Sequence, residues 1–85
     1  MHYVYAIKST TKDFLYIGCT NDLKRRFEEH NAGQNISTKP FAPFKLVYYE
    51  AYRSKKDAVV RERQLKHKGA AIGHLKKRIN NSLNE

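Results

Sequence analysis

His2-Tyr3-Val4-Tyr5-Ala6-Ile7-Lys8, a turn over Thr10–Asp13, and then Phe14-Leu15-Tyr16-Ile17-Gly18 open the chain and decide its fold. Both runs are rich in aromatic and β-branched residues, which suit a pleated, half-buried surface, and the polar link between them is short enough for a hairpin. Thr20, Asn21 and Asp22 are each good helix N-caps. A helix from there to about Asn31 is closed by Gly33, with Leu23 and Phe27 on its inner face. Residues 33–43 carry Gly33, Pro40 and Pro43 and show no periodicity, so they read as a loop, long for so small a chain. Phe44 to Ala51 read as a third strand, with Phe44, Leu46 and Tyr48 alternating against Lys45, Val47 and Tyr49. Ser54 followed by Asp57 has the form of an N-terminal capping signal for a second helix that runs to about Lys68 and stops at Gly69. Ile72, Leu75, Ile79 and Leu83 recur at helical spacing and predict a third, with the polar tail beyond Arg78 frayed. The order β-β-α-β-α-α predicts an α+β fold, a small three-stranded antiparallel sheet flanked by helices.

Length and composition bound the rest. At 85 residues the chain is one small domain with a modest core, taken here as residues 1–80 with a polar tail at 81–85. Its one cysteine, Cys19, allows no internal disulfide and fits a reducing compartment. Lys12 and Asp13 interrupt any apolar leader, and no run approaches membrane-spanning length, so a cytoplasmic location and no membrane partner are expected. The net charge of +9 is lopsided: residues 1–50 hold seven Lys/Arg against five Asp/Glu, and residues 51–85 hold ten against three. Such a surface suits a polyanion, nucleic acid being the commonest; the plainer alternative is a solvated basic face that serves solubility. The candidate contacts are Lys24, Arg25, Lys39, Lys55, Lys56, Arg61, Arg63, Lys66 and Lys68.

Glu62 is the sharpest single signal. It lies four, three and three residues from Ala58, Val59 and Leu65, so it shares their apolar stripe. A carboxylate there needs a partner or a metal ion, because burying it unpaired is costly. An ion pair with Arg61, Arg63 or Lys66 would also satisfy it. Arg26 and His30 are four apart and share one helix face. Arg26 is either a phosphate clamp or one more surface cation in the Lys24-Arg25-Arg26 run. His30 is either a proton carrier or a helix C-terminal histidine favoured by the dipole. Tyr5 and Tyr16 would face one pocket across the hairpin, unless they are simply strand aromatics like Tyr3, Tyr48, Tyr49 and Tyr52. Gly18 either permits a close approach or makes a turn.

Taken together, Tyr3-Val4-Tyr5, Tyr16-Ile17-Gly18, Asp22 to Arg26 with His30, Glu29 to Gly33, Lys45 to Tyr49 and Ala58-x-x-x-Glu62 resemble the GIY-YIG nuclease superfamily. That superfamily includes the nuclease domain of the bacterial excision-repair incision subunit and homing-endonuclease catalytic domains. The likeness is strongest to its small stand-alone bacterial members. The resemblance implies a metal-dependent endonuclease hydrolysing DNA, with repair or recombination as its setting. It makes Glu62 the sole protein ligand of Mg²⁺ or Mn²⁺ and Arg26 the phosphate clamp. Tyr5 becomes part of the general base, and Tyr16 a hydrogen-bonding partner of water or phosphate. Two positions depart from the pattern: Tyr3 stands where the family name has glycine, and Cys19 stands where many members have a lysine. His2, His67 and His74 have no zinc-like spacing. The competing readings are a nucleic-acid-binding module with little or no activity and a protein-interaction domain. A monomer is expected.

Overall fold

The computed structural model describes residues 1–85. Strands β1 (His2–Ser9), β2 (Leu15–Thr20) and β3 (Phe44–Tyr52) form one antiparallel sheet in the order β2-β1-β3. Helix α1 (Leu23–Asn31) follows β2, and a 3-10 turn (Lys39–Phe41) lies in the loop before β3. Helices α2 (Lys55–His67), α3 (Gly69–Arg78) and the short α4 (Asn80–Asn84) complete the chain. The predicted α+β class and element order are those of the molecule. No helix is long and apolar enough to cross a membrane.

Alternate residues of a strand point to opposite faces, and β1 is covered on both. Val4 and Ala6 join Ile17, Ala58, Leu65, Leu75 and Ile79 in a core under α2 and α3. Tyr5 and Ile7 join Phe44 in a second core, against which Leu23 and Phe27 of α1 pack. The continuous buried run Val4-Tyr5-Ala6-Ile7 is therefore the middle layer of a helix–sheet–helix sandwich. Burying the Val4 and Ile7 side chains contributes about 1.5–3 kcal/mol each.

Three local features differ from the sequence reading. Ala6 pairs with Tyr48 but Ile7 with Leu46, so Val47 is an extra residue that shifts the phase of β3. Phe44 and Tyr48, expected on one face, accordingly lie on opposite ones. Ser54 is the N-cap of α2 but its side chain makes no capping hydrogen bond. The last predicted helix breaks at Ile79, and Asn80–Asn84 form a separate helical turn whose Leu83 packs on the core.

Candidate active site

The end of α1 is fixed by its own backbone. Asp22 caps the start by accepting from the Arg25 amide. At the other end the Gly33 amide donates to the His30 carbonyl and the Gln34 amide to that of Glu29, with Gly33 at φ 73°. This paired pattern needs a left-handed residue, which is why a glycine follows the helix. Asn31 then straps α1 to β3: its carboxamide accepts from the Phe44 amide at 2.6 Å and donates to the Phe44 carbonyl at 3.3 Å. His30 is thereby driven fully beneath the surface, against the sheet.

There it meets Tyr5. The Tyr5 hydroxyl lies 2.8 Å from Nε2 of His30, and Nδ1 of His30 lies 2.8 Å from the hydroxyl of Thr38, which is itself fully buried. The Tyr16 ring is 5.1 Å from the His30 ring and 6.3 Å from that of Tyr5. Gly18 is paired with Tyr5 across the hairpin, and the tyrosine ring crosses directly over it. A Cβ at Gly18 would stand 2.3 Å from the hydroxyl oxygen, far inside contact distance. Its φ is not positive, so glycine is required here by space rather than by backbone conformation.

Burial pushes the Tyr5 phenol up to about 12; the Arg26 guanidinium beside it opposes the rise, while Tyr16 and Glu62 add to it. Burial, reinforced by the Arg26 charge, lowers His30 below the ordinary imidazole value and keeps it neutral. Arg26 is itself half-buried. Burial works against its charge, but Glu29 at 3.1 Å and Tyr5 more than offset that. Arg25 points to solvent, with Asp22 and Glu29 only at 3.9 Å.

Glu62 reaches the same group from the other side of the sheet. It sits on α2 beside the edge strand β2, close enough for its charge to raise both Tyr5 and Cys19. Burial comes first among the causes at Cys19 and raises that thiol above its ordinary value, which favours the protonated form. The carboxylate is about a quarter exposed and pairs with Lys66 at 3.2 Å, the alternative that its spacing allowed. The Lys66 ammonium also lies 5.3 Å above the Tyr16 ring. The five candidate residues thus converge on β2 from both faces of the sheet: Tyr5, Tyr16, Arg26 and His30 from the α1 side, Glu62 around the edge.

The expected nucleic-acid contacts divide. Lys24, Arg25, Lys39, Lys55, Lys56, Arg63, Lys66 and Lys68 are exposed, and Lys55, Lys56 and Arg63 share one shallow surface with Val59 and Val60. Arg61 differs from the free surface cation expected of it. Its Nε donates to both carboxylate oxygens of Glu50, at 3.0 and 3.1 Å, on the β3 side of α2. Glu50 also accepts from the hydroxyls of Tyr48, at 2.7 Å, and Tyr52. Burial raises this carboxyl, but those three donors hold it below the usual range.

A profile of the GIY-YIG catalytic domain matches residues 1–80. The chain belongs to the GIY-YIG family. Among its relatives, a UPF0213 protein of Staphylococcus aureus strain Mu3 is 41% identical over 66 residues, covering 76% of this chain and 79% of that protein. A UPF0213 protein of Haloquadratum walsbyi is 38% identical over 66 residues, covering 76% and 73%. The solution NMR structure of a UPF0213 protein from Bacillus halodurans is 36% identical and covers 78% of this chain and 70% of its own, with a TM-score of 0.49. As a GIY-YIG domain the protein is a member of a nuclease family, and nucleic acid is its class of substrate.

Thr38 is the site residue that the sequence did not single out. The available signal was indirect: a buried histidine needs a partner on each ring nitrogen, and the long loop after Gly33 is where a second one could come from.

Proposed function

We propose that this protein hydrolyses phosphodiester bonds in DNA with the help of a divalent metal ion, preferentially Mg²⁺. The observation that carries the reading is the Tyr5–His30 hydrogen bond with Arg26 alongside it: a phenol, a neutral imidazole and a fixed guanidinium around one point.

Tyr5 is a weak resident base. With a pKa of about 12, roughly one molecule in 10⁵ would carry the phenolate at pH 7. It serves better as a relay. A water hydrogen-bonded to the Tyr5 oxygen gives up its proton there as the phenol's own proton passes to Nε2 of His30. The hydroxide oxygen bonds to phosphorus, the ester P–O bond breaks, and the leaving alkoxide takes a proton from solvent. Arg26 offers two parallel N–H groups to the phosphate oxygens, where negative charge concentrates in the transition state. Tyr16, at the strand edge, can donate to the same phosphate.

Glu62 fits the role of a metal ligand. Magnesium is commonly held by one or two carboxylates, with water and substrate phosphate filling the other positions. The protein has no cluster of three or more potential ligands that would favour a closed site instead. The Lys66 partner is a part-exposed i,i+4 ion pair of the kind worth about 0.3–0.5 kcal/mol, which a divalent cation would displace easily. When bound, the ion would supply Lewis-acid stabilisation of the phosphoryl oxygens. Nicked and branched DNA, the intermediates of repair and recombination, are the first substrates to try.

The test is a panel of labelled single-stranded, duplex, nicked and branched DNA, with matching RNA, incubated with purified protein plus Mg²⁺ or chelator. Cleavage of DNA that chelator abolishes supports the reading. Tight binding without cleavage of any substrate would leave a nucleic-acid-binding module in its place.

A further inference from the structure

We propose that Thr38 is a positioning residue that fixes the tautomer of His30, and with it the direction in which the Tyr5 proton moves. The proposal rests on the relay described above, but its first consequence is a property of the resting protein.

The hydrogens can be placed from both ends of the chain of hydrogen bonds. At one end, the Thr38 hydroxyl donates to the Asn35 carbonyl, at 3.4 Å. With its proton turned to that carbonyl, Thr38 offers His30 a lone pair, which places the hydrogen on Nδ1. At the other end, the groups around the Tyr5 hydroxyl are Nε2 of His30 and the guanidinium of Arg26. A guanidinium only donates, so the phenol hydrogen has His30 as its acceptor. Both ends give the same answer: Nδ1–H to Thr38, and a bare Nε2 facing Tyr5. With the opposite tautomer, Nε2–H would donate to the Tyr5 oxygen, the phenol hydrogen would have no acceptor, and the relay could not run.

The loop holds Thr38 to this task. The Thr38 and Lys39 amides both donate to the Asn35 carbonyl, and the Asn35 side chain accepts from the amide and hydroxyl of Ser37. Three residues after Thr38, the Phe41 ring stacks on Phe14 with centroids 3.8 Å apart, and the Phe41 carbonyl accepts from the Ser9 hydroxyl at 2.7 Å. These contacts seat Thr38 beneath the surface beside the imidazole, and they account for an ordered loop of this length. In the reaction His30 takes the Tyr5 proton at Nε2 and becomes an imidazolium with a hydrogen on each nitrogen. Thr38 keeps accepting from Nδ1 throughout, so no group on that side needs to turn.

Long-range ¹H–¹⁵N correlation spectra of histidine-labelled protein at neutral pH read the tautomer directly and need no substrate. The wild-type protein should show His30 protonated at Nδ1, and a spectrum with the hydrogen on Nε2 overturns the proposal. Thr38→Val, similar in shape but without an acceptor, should weaken that preference, which then rests on the Tyr5 end alone, whereas Thr38→Ser should retain it. An unchanged tautomer in Thr38→Val would show that Thr38 does not set it. On a cleaved substrate Thr38→Val should lower kcat about 10- to 100-fold with little change in KM, part of the 10²–10⁴ that general acid–base catalysis supplies, and Thr38→Ser should restore it. If Tyr5→Phe leaves cleavage untouched while the spectra behave as stated, the relay reading fails and the assignment of Thr38 stands.

Discussion

Gly18→Ala is the substitution whose consequence the structure states most directly. The new Cβ would sit 2.3 Å from the Tyr5 hydroxyl oxygen and 2.4 Å from Cζ, where ordinary contact begins at 3.4 Å. The ring must move by about 1 Å, and Tyr5 is 1% exposed, with core on its far side. Overpacking of this kind costs about 1–3 kcal/mol. The shift also pulls the hydroxyl from Nε2 of His30 and leaves a buried acceptor unpaired, another 1–3 kcal/mol. Reduced freedom of the unfolded chain returns about 0.4–1 kcal/mol. The net expectation is a loss of about 2–4 kcal/mol, a fall in Tm on the order of 10–30 °C for a domain of this size. Gly73→Ala is the matched control. That glycine is inside α3 with nothing within 4 Å of its would-be Cβ, so alanine should stabilise by about 0.5–1 kcal/mol. Urea and thermal melts followed by circular dichroism measure both. If Gly18→Ala melts with the wild type, the ring-over-glycine contact is not what holds Tyr5 in place, and the geometry of the relay loses its foundation.

Other consequences concern the edge of the site. Glu62→Ala should abolish metal-dependent cleavage while shifting Tm by only a few degrees, since the pair it breaks is a part-exposed i,i+4 contact; normal cleavage by this variant would remove Glu62 from the metal site. Arg26→Ala should lower the rate at saturating substrate by about 10²–10³, whereas exposed Arg25→Ala should affect binding alone and mildly; equal small effects from both would reduce the Lys24-Arg25-Arg26 run to an electrostatic patch. The relay needs neutral His30, whose pKa is lowered by burial, so the acid limb of the kcat profile should fall below pH 6.5. Stability carries the same sign: as pH drops through about 6.5 the unfolded chain binds a proton that the folded one refuses, so stability is full above that pH and declines toward the folded pKa. A basic limb in this range, or stability rising on acidification, would contradict a neutral buried imidazole.

The hairpin, the Gly33 helix stop and the shared helix face of Arg26 and His30 were legible because each rests on local rules: strand propensity, left-handed glycine and the i,i+4 face of a helix; that this face meets Tyr5 and Tyr16 was implied only by the family resemblance. The misreadings share a different cause. Strict alternation along β3 failed at Val47 because a bulge is a property of pairing with β1, and nothing in Phe44–Tyr52 alone marks it. Arg61 read as a free cation because its partner, Glu50, is eleven residues away on another element. Thr38 could not be singled out because a threonine is unremarkable in a loop; only the buried ring nitrogen it faces gives it a role.

Long-range pairing also divides the site into two halves that respond differently to change. Tyr5, His30, Thr38 and Gly18 are built into the second core, so their hydrogen bonds hold the α1 layer together as well as aligning the relay. Arg26 and Glu62 are part-exposed and held by ion pairs along their own helices, so removing either costs little stability. Substitutions in the buried half should therefore lower stability and cleavage together, and the few that do not, such as Thr38→Ser, are those that keep every hydrogen-bond partner. Substitutions in the edge half should separate the two quantities. A survey of variants plotted as Tm against kcat would then fall on two branches, a sloping one for the buried half and a vertical one at constant Tm for Arg26 and Glu62. A single sloping branch containing all of them would mean that loss of cleavage merely reports loss of fold, and that the edge carboxylate and guanidinium have no chemistry of their own.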